Sequence, residues 1–244
     1  MKRLTLILLT CIFSLNLSAQ DKDPAPKNAR PNIKGDLFLD FGFNFLNNRP
    51  ENLNTRFFPS KVANIYYQYP INLGENSGIT FNPGIGLGLD KLAFKNDSTL
   101  INNPALGNNS SQLVGIKTLY GDDVTVNTNT MAINYIDIPL EFRYHVNKTN
   151  YDKGFRFAIG GKLGILYNAH TKVEITDAAG LTQKIKIRQD YGLNPLRYGV
   201  YARVGLAGFN LWSYYGLNTV FKEGKGPFGT EATELNIGLS VALF

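Results

Sequence analysis

Residues 135–146 read Tyr-Ile-Asp-Ile-Pro-Leu-Glu-Phe-Arg-Tyr-His-Val, and apolar side chains alternate with polar ones along this stretch. One face carries Asp137, Glu141, Arg143 and His145, together with Tyr135 and Pro139. The other face is entirely apolar: Ile136, Ile138, Leu140, Phe142, Tyr144 and Val146. A period of two predicts a β-strand. Twelve residues at about 3.4 Å each extend about 40 Å, enough to cross a bilayer core even when tilted. The pattern predicts a strand with lipid on one face and a polar lumen on the other.

Seven further stretches alternate in the same way: residues 36–46, 62–73, 79–90, 155–167, 197–206, 209–221 and 233–244. The eight stretches predict an all-β fold, an eight-stranded antiparallel up-and-down transmembrane β-barrel. The connections alternate between long ones (47–60, 95–130, 170–195, 222–231) and short ones (74–78, 147–153, 207–208). Outer-membrane barrels have short periplasmic turns and longer external loops, so we expect both termini in the periplasm. Within the longest loop, segments 112–120 and 124–130 are expected to prolong the flanking strands.

Alternation alone also fits a soluble eight-stranded barrel with an apolar interior, and two features favour the membrane barrel. Glycine, which suits a crowded lumen, recurs on the polar face: Gly84, Gly86, Gly88, Gly160, Gly164, Gly199, Gly205, Gly216 and Gly238. Aromatic residues on the apolar face gather near the strand ends, as in the two girdles of a membrane barrel. The predicted periplasmic girdle is Phe81, Tyr144, Phe155 and Phe209, and the external one is Phe45, Tyr167, Tyr198 and Phe221.

The first 20 residues have the form of a secretory signal peptide. Lys2 and Arg3 precede a mostly apolar run, and Ala19-Gln20 ends it before a charged segment. Residues 21–34 hold several prolines and charges and predict a flexible periplasmic tail, followed by the barrel domain over residues 35–244. Cys11, the one cysteine, lies inside the signal, so the exported chain is expected to have no disulfide.

Composition argues against several classes of function. The chain has 25 Lys and Arg residues and 19 Asp and Glu residues. Without Lys2 and Arg3 of the signal, 23 basic residues remain, which gives a net charge of +4. This charge is too small to predict nucleic-acid binding. The glycines of residues 84–88 are not followed by a predicted helix, which disfavours a nucleotide site. His145 and His170 should lie at opposite ends of the barrel, so we expect no enzyme activity. The spacing of potential ligands predicts no metal site and no cofactor.

Eight charged residues are predicted to face the lumen: Asp40, Asp90, Asp137, Glu141, Arg143, Arg156, Lys162 and Arg203. One interpretation is that they fill the lumen as ion pairs, since an unpaired buried charge is costly. The other is a narrow path for ions or small solutes. Small barrels are usually filled by their own side chains, which favours the first. The short turn at 147–153 should place Lys162 beside Pro139, where it is expected to bridge Asp137 and Glu141.

A second basic group lies in a predicted external loop, where Lys184, Lys186 and Arg188 alternate with isoleucines. These residues fit either a solvated hairpin edge protected by charge or a contact with lipopolysaccharide phosphates.

The run Tyr135-Ile136-Asp137-Ile138-Pro139-Leu140 resembles the Tyr-aliphatic-acidic-aliphatic-Pro-Leu strand of the PorT-like outer-membrane β-barrel family. The run Pro83-Gly84-Ile85-Gly86-Leu87-Gly88-Leu89, the signal ending in Ala19-Gln20 and the terminal Phe244 fit the same resemblance, which covers about residues 35–244. The family implies an eight-stranded outer-membrane barrel without a known catalytic site. We expect the barrel-assembly machinery as a partner during insertion. One member is associated with a protein-secretion apparatus. We therefore expect an integral outer-membrane protein with a structural role or one in binding a protein partner through its external loops.

Overall fold

A computed structural model describes residues 34–243. The predicted signal peptide, residues 21–33 of the predicted tail and Phe244 lie outside the described residues. The described part is almost entirely β-structure. Its strands are β1 Asp36–Asn47, β2 Lys61–Gln68, β3 Ile71–Asn72, β4 Ile79–Ala93, β5 Ser98–Ile101, β6 Gln112–Gly115, β7 Thr125–His145, β8 Phe155–Thr176, β9 Thr182–Arg188, β10 Leu196–Leu206, β11 Phe209–Thr219 and β12 Thr233–Ala242. One short helix, α1, spans Ile116–Tyr120.

Eight of these strands form a closed ring, in the order β1, β2, β4, β7, β8, β10, β11 and β12. Each pairs antiparallel with its neighbours, and the pairing of β12 with β1 closes the sheet. Closure leaves no unpaired edge in the ring, which lipid requires. The predicted eight-stranded up-and-down barrel is confirmed.

The barrel has two unlike ends. Loops 48–60, 94–124, 177–195 and 220–232 lie at one end, called here the long-loop end. Connections 69–78, 146–154 and 207–208 lie at the other, the short-turn end. The predicted alternation of long and short connections is therefore present in the structure.

An apolar band covers the outside of the barrel. On β8, Phe157, Ile159 and Leu163 point outward, and Ile159 is 65% exposed. Equivalent exposed residues on other barrel strands include Phe41, Ile65, Ile85, Ile136, Val200, Leu211 and Ile237. Such a surface suits lipid rather than water. In residues 34–243, no helix has the length and apolar character needed to cross a membrane.

Strands β7 and β8 have 21 and 22 residues, about twice what a tilted membrane strand needs. Both continue past the apolar band at the long-loop end, so the predicted extension at residues 124–130 is confirmed. There β9 pairs with the part of β8 at the long-loop end. The sequence indicated a polar connection over residues 170–195, the region that contains β9. The extension predicted at residues 112–120 is wrong, because β6 pairs with β5 in a separate small sheet and α1 follows.

Two other boundaries differ from the sequence prediction. The stretch 62–73 is interrupted after Gln68, and Ile71–Asn72 pairs separately with β4. Phe221, predicted for an outer aromatic girdle, is 1% exposed and lies inside the long-loop end. Strand β11 ends at Thr219, and the chain then turns inward, bridging Phe221 to Leu193.

The loops at the long-loop end cover their own hydrophobic core. This loop-end core consists of Leu46, Leu53, Leu92, Phe94, Leu100, Met131, Ile133, Tyr135, Ala169, Tyr191, Leu193, Val220, Phe221 and Ala232. Its members come from barrel strands and from the loops alike, so the loops are packed onto the mouth of the barrel rather than standing free of it.

Candidate functional site: the ion-paired lumen

All eight charged residues predicted for the lumen are buried there, and all except Arg156 belong to one of two clusters. The cluster nearer the long-loop end is built around Arg197 of β10 and is called the Arg197 cluster. Its other members are Asp90, Asp137, Glu234 and Lys162. The Arg197 guanidinium contacts Asp90, lies 2.6 Å from Asp137 through Nη2, and lies 3.4 Å from Glu234 through Nη1.

Arg197 fits because neighbouring positions lack side chains. A Cβ atom at Gly88 would collide with its guanidinium, and one at Gly164 would collide with Arg197 and Asp137. The guanidinium also lies over the ring of Tyr135, 3.9 Å from its centroid. Gly88 and Gly164 therefore leave space for the large Arg197 side chain. This explains why glycine recurs on the polar face of a crowded lumen.

The second cluster lies nearer the short-turn end and is called the Arg203 cluster. It contains Arg143, Arg203, Asp36, Asp40 and Glu141. Arg203 lies 2.8 Å from Asp40 and 2.5 Å from Glu141. Arg143 lies 2.7 Å from Glu141 and contacts Asp36. Two guanidinium groups thus share Glu141, which gives this carboxylate a cation on each side.

Lys162 lies beside Pro139 across the β7–β8 pair, in the predicted register. Its Nζ is 3.8 Å from Asp137, 3.4 Å from the Tyr66 hydroxyl and 3.8 Å from the centre of the Tyr214 ring. The predicted second contact, to Glu141, is wrong, because that carboxylate is held by the two arginines of the other cluster. Lys162 is consequently a peripheral member of the Arg197 cluster rather than a bridge.

Arg156 differs from the other lumen cations. In residues 34–243 it has no carboxylate within ion-pair distance; its Nε donates to Asn210 Oδ1 at 3.1 Å. Its guanidinium lies 5.3 Å from the centroid of the Phe38 ring, which Arg143 and Arg203 also approach, at 5.1 and 4.6 Å. The Phe38 ring thus lies within cation–π distance of three guanidinium groups.

The two clusters fill the lumen. Among the described residues, two small cavities adjoin them, each with a volume of about 10 Å³, room for about one water molecule. One lies beside Arg197 and Glu234, and the other lies beside Arg203 and Lys162.

The predicted set omitted four charged or polar residues that the structure places in these clusters or in contact with them. Arg197 faces the lumen as its alternation predicts, but its partners come from three other strands. Glu234 of β12 and Asp36 of β1 lie at the ends of their strands. Tyr66 donates to Asp137 at 2.6 Å and carries no charge that would have marked it. Alternation along each strand could have found the inward positions of all four residues.

The two histidines lie at opposite ends. His145 Nε2 is 3.3 Å from Thr80 Oγ1 at the short-turn end, and its ring stacks on Tyr151. His170 lies beyond the apolar band on β8, where partial burial and then the nearby charges of Lys186 and Arg188 lower its pKa. Within the described part of the chain, no group of three or more His, Cys, Asp or Glu side chains could hold a metal ion.

The basic residues of the loop hairpin are solvent-exposed. Lys184, Lys186 and Arg188 lie on β9, which pairs with β8 alone among the described strands. Glu174 of β8 lies 3.8 Å from Lys184, while Lys186 and Arg188 have no ion pair in residues 34–243. The hairpin predicted from the alternating charges is therefore present, and part of its charge is uncompensated.

Comparison with known proteins gives one family match. Residues 20–222 match the family described as "Outer membrane protein beta-barrel domain". No curated protein matches this sequence. Among solved structures, Ail, the attachment invasion locus protein of Yersinia pestis, is similar at 10% identity, with 86% of this chain and 97% of that chain covered and a TM-score of 0.38. A triple mutant of the Rhodopseudomonas blastica porin is similar at 10% identity, with 86% and 99% covered and a TM-score of 0.20. These two similarities carry no residue role or ligand to this chain.

Proposed function

Because the chain belongs to the outer membrane protein beta-barrel domain family, we propose that it is a non-conducting outer-membrane barrel that acts through its long-loop end. The observation that carries this proposal is the filled lumen. Seven of the eight predicted lumen charges take part in ion pairs, and the loop-end core closes the same barrel above them. A protein built this way offers its surface, not its interior, to partners.

In this proposal the long-loop end faces the cell exterior and both termini lie in the periplasm. The asymmetry of the connections supports that orientation, since external loops are the longer ones in outer-membrane barrels. The exposed cations Lys184, Lys186 and Arg188 then reach the outer leaflet and contact lipopolysaccharide phosphates. A protein partner would meet the same end.

We assign no enzymatic role, because the two histidines lie far apart and the lumen carboxylates are held by cations. The motif over residues 135–140 supports a place among PorT-like barrels, and it lies on the β7 strand that supplies Asp137 to the lumen. A secretion role would rest on that resemblance alone, and co-purification from native membranes would detect such a partner.

Conductance in planar bilayers tests the proposal. Purified protein, refolded in detergent and shown to be folded by its heat-modifiable migration on gels, should insert without producing current steps. A general porin added under the same conditions provides the positive control. Reproducible steps from the folded protein would favour the narrow-channel alternative and contradict the filled-lumen proposal.

A further inference from the structure

Lysines oppose each other directly on the outside of the barrel. Lys61 of β2 and Lys91 of β4 are register partners, and both side chains are exposed. Like charges at opposite positions of an antiparallel pair repel each other. The outward apolar series of β4 ends at Leu89, two residues before Lys91. The lysine pair therefore lies immediately beyond the apolar band, at the long-loop end.

A third lysine reaches the same place. Lys91 is opposite Ala132 of β7, a small side chain that leaves its position open towards β8. Lys172 of β8 projects from the adjacent row, opposite Thr130. Partial burial and then the charges of Lys172, Lys61 and Arg56 lower the pKa of Lys91. Lys61, Lys91 and Lys172 thus form one outward-facing group, called here the basic patch, and Arg56 lies at its inner side.

The protein supplies little negative charge to the basic patch. Lys172 lies 3.9 Å from Glu174, a carboxylate that it shares with Lys184. Within residues 34–243, no carboxylate lies within 4 Å of a side-chain nitrogen of Arg56, Lys61 or Lys91. Arg56 donates instead to the neutral amide oxygen of Asn129. Three lysines therefore face one shared carboxylate, in contrast to the closely paired charges of the lumen.

Aromatic residues join the basic patch to the lipid-facing surface. Phe58 is 69% exposed, and Lys61 Nζ lies 4.9 Å from the centre of its ring. Phe57, its neighbour in the 48–60 loop, stacks on the outward-facing Phe43 of β1 at 4.4 Å. An amphipathic ligand could thus place apolar chains against the band and its headgroup against the cations.

We propose that the basic patch binds the phosphate groups of a phosphorylated glycolipid in the outer leaflet. Phosphates remove the repulsion between Lys61 and Lys91, and the adjacent aromatic side chains contact the acyl chains. The patch continues onto the β9 hairpin, because Lys172 is opposite Lys186 and His170 is opposite Arg188. This inference rests on the proposed orientation of the barrel and gives its outer surface a definite ligand.

The test compares two forms of one lipid. Folded protein in detergent is titrated with bisphosphorylated lipid A and, separately, with the same lipid after its phosphates have been removed. The wild-type protein should bind the phosphorylated form at least tenfold more tightly. The double variant Lys61→Gln, Lys91→Gln should lose most of that preference. Lys148→Gln, Lys153→Gln removes the same charge at exposed positions of the short-turn end and should bind as the wild type does.

Thermal unfolding of the same variants distinguishes lost binding from lost structure. In neutral detergent without lipid, Lys61→Gln, Lys91→Gln should unfold at the same temperature as the wild type or a higher one, because it removes repulsion. Equal affinity for the two lipids, or unchanged affinity in this double variant, would overturn the inference. Displacement by millimolar inorganic phosphate would show a site for free anions and also overturn it. The conductance experiment tests the filled lumen independently of these results.

Discussion

Strands β7 and β8 bury opposite chemistry at their two ends. Within the apolar band, the inward residues of β7 include Asp137, Glu141 and Arg143, and lipid-facing residues surround them on the outside. Beyond the band, the inward residues Met131 and Ile133 belong to the loop-end core, and the outward side of the strands carries polar groups. The surroundings of the barrel explain the difference. Where lipid lies outside, the polar side chains lie inside the barrel. Where water lies outside, apolar side chains lie inside and polar side chains lie outside.

A local irregularity marks the change. The pairing of β7 with β8 shifts register at Asn134 and Tyr135, which face Asn168 and Leu166, so Tyr167 is the extra residue of a β-bulge. Before the bulge, the buried positions of β8 are even-numbered, as at Lys162. After the bulge they are odd-numbered, as at Ala169 and Val173. The bulge therefore reorients the strand where the protein leaves the apolar band.

The largest expected effect comes from removing the central lumen cation. Arg197→Met leaves Asp90, Asp137 and Glu234 with Lys162 alone for compensation. We expect a loss of about 3–5 kcal/mol in the free energy of unfolding, the cost of breaking a buried ion pair from one side. Urea unfolding in detergent, followed by heat-modifiable migration, measures it. Adding Asp90→Asn and Glu234→Gln should recover part of the loss; no recovery would mean that Arg197 stabilises the barrel by packing and not by charge.

A change in the loop-end core should act locally. Leu53→Ala removes a fully buried side chain from the 48–60 loop and should destabilise its packing by about 2–4 kcal/mol. Because the loop-end core lies beyond the apolar band, we expect faster protease cleavage of the long loops without loss of the heat-resistant barrel. Leu106→Ala, at an exposed loop position, is the matched control. Simultaneous loss of the folded barrel band would show that the loop-end core and the lumen unfold as one unit.

The smallest effect is expected at Lys162. Its long 3.8 Å contact with Asp137 is secondary, because Arg197 already binds that carboxylate more closely. Lys162→Met should cost about 1.5–2 kcal/mol, at the lower end of the range for a hydrogen bond involving a charged group. Adding Glu141→Gln should lower the free energy of unfolding further, because Arg143 and Arg203 would then lose their shared carboxylate. Recovery of stability in that double variant, measured by urea unfolding, would instead support the bridge that the sequence suggested.

The amino-acid sequence by itself determined the eight barrel strands and, for most of their residues, which side chains face inward. Period-two alternation depends only on neighbouring residues, so Asp137, Glu141 and Arg143 could be assigned to the lumen without a structure. A short turn limits how two strands can pair, which is why the register of Pro139 with Lys162 was predictable. The class of protein followed from the same local patterns.

Only the tertiary structure decided which charges meet. Arg197 binds Asp90, Asp137 and Glu234 because closing the ring brings β10, β4, β7 and β12 around one lumen at a particular stagger. The basic patch likewise depends on the registers of neighbouring strands, which place Lys61 opposite Lys91. Alternation predicts on which face of its strand a residue lies, but not the height of that residue along the barrel axis. That height depends on the stagger of the closed sheet and on bulges such as the one at Tyr167, which are properties of all eight strands together.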